Sequence, residues 1–224
     1  MLTQDAFRVD GSTTAPSGPG CYYFGGNPLA SFHLELYSGT PCGDQVIGQS
    51  ICLPGQNGVI ACPCGNNPVN PGAGCENSGQ GQPQTGGAIL TATSSTGNAS
   101  VSNDQVTLTA TFVRTNTTSL FLQGNALIAA GAVFGDGVRC AGGQLLRLNS
   151  PGGTLSDGAG TVTYPNAGFP QSITARVAAL GQPINPGDTR WYGTYYRDPS
   201  LTFCPNPPGN TWNITQTVQL TWVP

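Results

Sequence analysis

His33 and Glu35 in SFHLELY stand two positions apart, so on an extended strand they share a face. A histidine beside a carboxylate can serve as a base with its orienter or as two metal ligands. Neither chemistry is complete. The chain holds one histidine, no G-x-S-x-G elbow and no marked nucleophile, so neither a histidine-rich zinc or copper shell nor a serine-hydrolase arrangement can be read from it. A solvent-facing strand histidine fits the pattern better. The ten carboxylates are scattered. Asp104, Asp136, Asp157, Asp188 and Asp198 lie near Gly, Asn or Pro, where an Asp side chain ordinarily caps its own turn. Loop calcium is one alternative, and a glycosidase pair assembled across a cleft is another. In FGDGVRC, Arg139 is expected to pair with Asp136 or with Asp198 of YYRDP.

Trp191, Tyr192, Tyr195 and Tyr196 cluster on one candidate strand, and flat aromatic faces are what sugar rings stack on through their apolar C–H patches. On that strand Trp191 and Tyr195 share one face and Tyr192 and Tyr196 the other, so at least one pair points inward. These four are the candidate ligand-binding residues, with core packing as the alternative for most of them. Trp212 and Trp222 follow the apolar face of the last strand and are read as core.

The eight cysteines are Cys21, Cys42, Cys52, Cys62, Cys64, Cys75, Cys140 and Cys204, an even number that fits complete pairing. Cys62 and Cys64 flank one proline, and a bridge between them would strain the ring, so each should reach a different partner. The expected pairs are Cys21 with Cys42, Cys140 with Cys204, and two bridges among Cys52, Cys62, Cys64 and Cys75. Zinc on the middle four is the rival reading, but intervals of nine, one and ten residues differ from the usual paired knuckles. Neither metal nor cofactor is assigned.

The elements that must position these groups are strands. Charged residues make up 8% of the chain, against roughly 25% in average proteins, and Gly and Pro number 33 and 19. Strong Val/Thr/Leu alternation argues for a folded chain despite that turn-rich composition. Val106, Leu108, Ala110 and Phe112 alternate with threonines. Near the C-terminus Trp212, Ile214, Val218, Leu220 and Trp222 alternate with Asn213, Thr215, Thr217, Gln219 and Thr221. Further strands are expected at 45–53, 88–92, 119–124, 144–148, 160–164, 172–178 and 190–196, with at most a helical turn near Val177–Gly181. The outward faces should carry Thr, Ser, Gln and Asn, a surface without the charges that keep sheet edges apart. All seven basic residues are Arg and the net charge is −3, so the electrostatic basis for binding nucleic acid is missing. The longest apolar stretch, Ala126 to Phe134, is about half of the roughly 20 residues that a membrane helix needs. The opening MLTQDAFRVDG lacks the apolar core of a signal peptide, as expected of a processed chain or an excerpt.

Several segments in order, ACPCGNNP with GAGCENS, SLFLQG, FGDGVRCAGG, YYRDPSLTFC and NITQTVQLTWVP, make the region from about Cys52 to Pro224 resemble a cysteine-containing module of secreted planctomycete and deltaproteobacterial proteins. The resemblance implies an exported, cysteine-bridged β module, often placed at the end of longer extracellular proteins. It brings no activity and no catalytic residue. Where such modules tend to carry an acidic glycine turn before the CPC, this chain has GQNGV, which weakens a calcium reading there.

Together these observations predict an all-β, disulfide-braced antiparallel β-sandwich. An N-terminal arm and strands (1–53) lead through a cysteine-, Gly- and Pro-rich connector (54–87) into the sandwich domain (88–224). The expected role is a non-catalytic structural or interaction module of the bacterial cell surface or matrix. Its partners would be copies of itself, assembling into fibres, or other surface proteins. A carbohydrate-binding module is the alternative, and a hydrolase of unrecognised type comes third. Thiol titration of the denatured, unreduced protein should find no free cysteine, and eight free thiols would remove the premise of export.

Overall fold

The computed structural model describes residues 43–200, 202–204 and 211–224, so His33, Glu35, Cys21 and Cys42 lie outside the described residues. Its strands are β1 (Gln45–Ile47), β2 (Gln49–Ile51), β3 (Ile89–Ser94), β4 (Ala99–Ser100), β5 (Val106–Thr111), β6 (Thr118–Gly124), β7 (Ala126–Phe134), β8 (Gly137–Gly142), β9 (Leu146–Arg147), β10 (Thr154–Leu155), β11 (Val162–Tyr164), β12 (Thr189–Arg197), β13 (Trp212–Ile214) and β14 (Thr217–Val223); a single helix, α1 (Ile173–Ala179), is described. One sheet runs β1-β3-β5-β11. The other runs β10-β6-β12-β14-β2, with β9 on β6, β13 on β12 and β4 on β14, and β7 and β8 form a separate hairpin. All these pairings are antiparallel except β4 with β14. The fold is a disulfide-braced, all-β sandwich.

The two sheets close on a common core. Leu90, Leu108, Ala110 and Tyr164 of the first sheet meet Phe121, Tyr192, Tyr196, Leu220 and Trp222 of the second. Strict alternation builds the inner faces: β3 and β5 bury every second residue and leave their threonines half-buried. β1 and β2 are separated by Gly48 alone, yet β1 pairs with β3 in one sheet and β2 with β14 in the other. A side chain could not occupy that corner. A Cβ at Gly48, with φ +78°, would lie 2.4 Å from Leu220 Cδ2 and 2.6 Å from the Gln219 carbonyl.

Three expectations need correction. The segment 172–178 is helix, not strand. Ser172 caps it by accepting from the Ala175 N–H, Ile173 and Val177 bury one side four residues apart, and Gly181, at φ +80°, ends it. The closing bonds from Gly181 to the Ala178 carbonyl and from Gln182 to the Val177 carbonyl form a Schellman turn. The expected Cys140–Cys204 bridge is absent, and Cys52, Cys62, Cys64 and Cys75 form one bridge among themselves where two were expected; the sulfurs pair Cys52–Cys140, Cys62–Cys75 and Cys64–Cys204, because the connector is drawn across β8 and the end of β12. Cys62 and Cys64 do reach different partners.

The third correction concerns the last strand. Tyr192 pairs with Val218 and Tyr195 with Ile214, so two residues of β12 oppose three, Thr215, Gln216 and Thr217. That extra residue flips side-chain parity. Val218, Leu220 and Trp222 point into the core, whereas Trp212 and Ile214 lie on the opposite face, and Asn213, expected outside, is buried. Gln216 holds the irregularity: its side chain accepts from the Leu90 N–H at 2.9 Å and donates to the Leu90 carbonyl at 2.6 Å, linking the two sheets as a strand would. Gln216→Ala would leave two buried backbone groups unpaired. It should cost about 2 to 4 kcal/mol, read as a lower urea midpoint at unchanged slope.

Candidate functional site

A groove of about 810 Å³ opens on the outer face of the larger sheet. β6 contributes Leu120 and Leu122, β12 contributes Tyr195 and Arg197, and β13 contributes Trp212, directly across from Arg197. The β7–β8 hairpin adds Phe134, the β9 region adds Leu146, Arg147 and Ser150, and α1 adds Arg176 and, at its C-terminal cap, Leu180.

The aromatic side of the groove is fixed by the hairpin turn. Gly135 and Asp136 form a two-residue connection with φ +63° at the glycine, the glycine-first pattern of tight hairpins. The turn docks on Trp212: the Asp136 N–H donates to the Trp212 carbonyl at 2.9 Å, and a Cβ at Gly135 would lie 2.4 Å from Trp212 Cδ1. Phe134 then stands edge-on to both Tyr195 (6.3 Å, 74°) and Trp212 (6.5 Å, 67°). The Arg139 guanidinium caps the Phe134 ring at 5.2 Å. Edge contacts of this kind hold aromatic rings in one orientation before any ligand arrives.

The four aromatic candidates separate. Tyr195 lines the groove. Trp191 shares its face of β12 but lies outside the groove, donating to Gln219 Oε1 at 3.0 Å. Tyr192 and Tyr196 are wholly buried and drop out as ligand contacts. Tyr192 donates to Gln123 and accepts from the Trp222 indole. Trp212 is the functional candidate that alternation misassigned to the core. The signal was Gln216, a polar residue where the apolar face of the last strand should have continued. Phe134 and the hairpin went unassigned because the small residues of ALIAAGAVF carry no alternation.

No family model, curated protein or solved structure matches the chain.

The carboxylates take structural places. Asp104 accepts from Val106 and Thr174, Asp157 from Ala159 and Thr161, and Asp188 from Asn185 and Arg190. Arg139 pairs with neither Asp136 nor Asp198; its Nη1 donates to the Ala141 carbonyl, and the partner of Asp198 is the buried Arg114, at 3.3 Å. Asp198 also accepts from the Ser78 N–H and hydroxyl, tying the connector to the end of β12. Glu76 serves the connector in the same way, accepting from the N–H groups of Asn77, Thr85 and Gly87.

Asp136 differs. It is fully buried, its Oδ2 has no partner among the described residues, and its Oδ1 lies 3.9 Å from the Cys64 sulfur. Burial, and then the nearby Asp198 charge, push its carboxyl up to about 7. The folded protein thus keeps this proton to about pH 7, while the unfolded chain loses it near pH 4. Between those values the folded state binds more protons, so this group lowers stability as pH rises. Asp136→Asn should leave stability little changed near pH 4 and raise it at pH 8. The difference between variant and parent in urea unfolding should grow by up to about 1.4 kcal/mol per pH unit across that window. A flat difference would place the carboxylate in a solvated setting.

Proposed function

We propose that this protein is a non-catalytic extracellular binding module that holds a polysaccharide in the outer groove of its larger sheet. The observation that carries the reading is the preset aromatic set of Tyr195, Trp212 and Phe134 bordering one open groove. Sugar rings need such flat apolar faces, and a site assembled before binding spends little of its affinity on ordering. The non-catalytic part rests on the lining: among the described residues no carboxylate stands in the groove, whereas glycoside hydrolysis uses two. Export is supported by the three disulfides among the described residues, and no described helix is long and apolar enough to cross a membrane.

Fibre assembly through sheet edges has less support. The edge strands of the two large sheets, β1, β2, β10 and β11, are two or three residues long, so among the described residues those edges offer few unpaired backbone groups, and the longer edge β7 belongs to the separate hairpin.

Affinity electrophoresis against a panel of neutral and acidic polysaccharides tests the reading. Retardation by at least one polymer should fall about tenfold in Tyr195→Ala, the scale of losing one stacked ring, and should persist in Trp191→Ala, which removes an aromatic from the same strand outside the groove. Failure to bind any polymer, or equal loss in both variants, would overturn it.

A further inference from the structure

We infer that the groove is built for an acidic polysaccharide, one whose sugar rings carry carboxylates, with Arg147 and Arg197 as the groups that recognise the charge. This inference rests on the polysaccharide reading above and names the class of ligand.

The chain has seven Arg and a net charge of −3, yet three of those seven, Arg147, Arg176 and Arg197, line one groove. None of the described carboxylates lines it. Asp198, next in the chain to Arg197, turns inward to Arg114 and Ser78. An acidic protein has thus placed positive charge, unopposed among the described residues, around an aromatic surface.

The three arginines are not equivalent. Arg176 is anchored, its Nε and Nη2 donating to the carbonyls of Leu148 and Ser150 at 2.9 and 2.7 Å. It braces the β9 region and presents a fixed positive edge. Arg147 and Arg197 are exposed and make neither an ion pair nor a side-chain hydrogen bond among the described residues. An arginine fulfilling a structural duty would show a partner, as the half-buried Arg176 and Arg190 do. A free guanidinium offers a planar fork that matches a carboxylate in two parallel hydrogen bonds.

Register sets the spacing. Arg147 pairs with Leu122, and Leu122 with Gly193, four residues before Arg197 on β12. Two strand spacings across and four residues along put the two backbone positions roughly 16 Å apart. One sugar cannot bridge that distance, but a short run of linked rings can, lying over Tyr195 with carboxylates at both ends.

The experiment uses galacturonate oligomers and their fully methyl-esterified counterparts, which keep the rings and remove the charge. Calorimetry on the intact protein should show the acidic trimer or tetramer binding at least tenfold more tightly than its methyl ester and than galacturonic acid itself. Binding should weaken as salt rises. Arg147→Gln with Arg197→Gln should abolish the preference for the acid while leaving the thermal unfolding midpoint unchanged, since neither side chain holds the fold together. Equal binding of acid and ester, or an undiminished preference in the double variant, would overturn the acidic specificity and leave the polysaccharide reading standing. Failure of acidic and neutral oligomers alike, together with the polymer panel, would overturn both.

Discussion

The outer groove depends on one irregularity, the extra residue between β13 and β14, and on the Gln216 amide that stabilises it. In a regular strand Trp212 and Trp222 would face the same way and both would belong to the core. With three residues opposing two, the same strand seals the core with Trp222 and furnishes the groove with Trp212. On the opposite sheet β1 pairs with β3 only as far as Ala92, so the edge of β3 at Leu90 lacks a strand neighbour, and the glutamine side chain supplies partners for both the Leu90 N–H and its carbonyl. A carboxamide does this because it carries a donor and an acceptor in the geometry of a peptide group.

The same device recurs. Asn149 accepts from the Phe121 N–H and donates to the Ser119 carbonyl, extending the ladder of β6 where the chain is no longer a strand. Asn66 donates to the carbonyls of Glu76 and Asp136, and Asn213 to those of Cys75 and Glu76. These buried amides answer the question posed by a chain so poor in charge. Uncharged polar side chains here are structural connectors as much as surface cover, and they join the irregular connector to the sheets at small desolvation cost.

Much of the sandwich could be read from alternation, since β3, β5 and most of β14 follow the period of two that a half-buried strand requires, while β6 and β12, apolar on both faces, were legible as short apolar or aromatic runs between turn residues. The reading failed where a local exception overrides the period. The segment 172–178 alternates weakly, and its Ser172 cap and its apolar pair four residues apart carried the stronger signal. The hairpin strand β7 has small side chains and no amphipathic pattern to detect. Of the candidate site, Tyr195 was legible, and the split of the aromatic cluster into an inward and an outward pair followed from strand geometry. Trp212, Phe134 and the arginines were not, because they meet through register, a parity flip and a docked turn, all of which are set by pairings between distant segments.

The sulfur bridges have one more effect. Cys52 is tied to Cys140 and Cys64 to Cys204, so the two spans overlap along the chain. A single peptide-bond break anywhere from Cys52 to Cys204 therefore cannot release a fragment, because at least one bridge always crosses the cut. Where hydrolytic enzymes are abundant and no repair exists, such a molecule outlasts its own nicks. Every residue lining the groove except Trp212 lies within this span, so a chain clipped there keeps them on one covalent molecule.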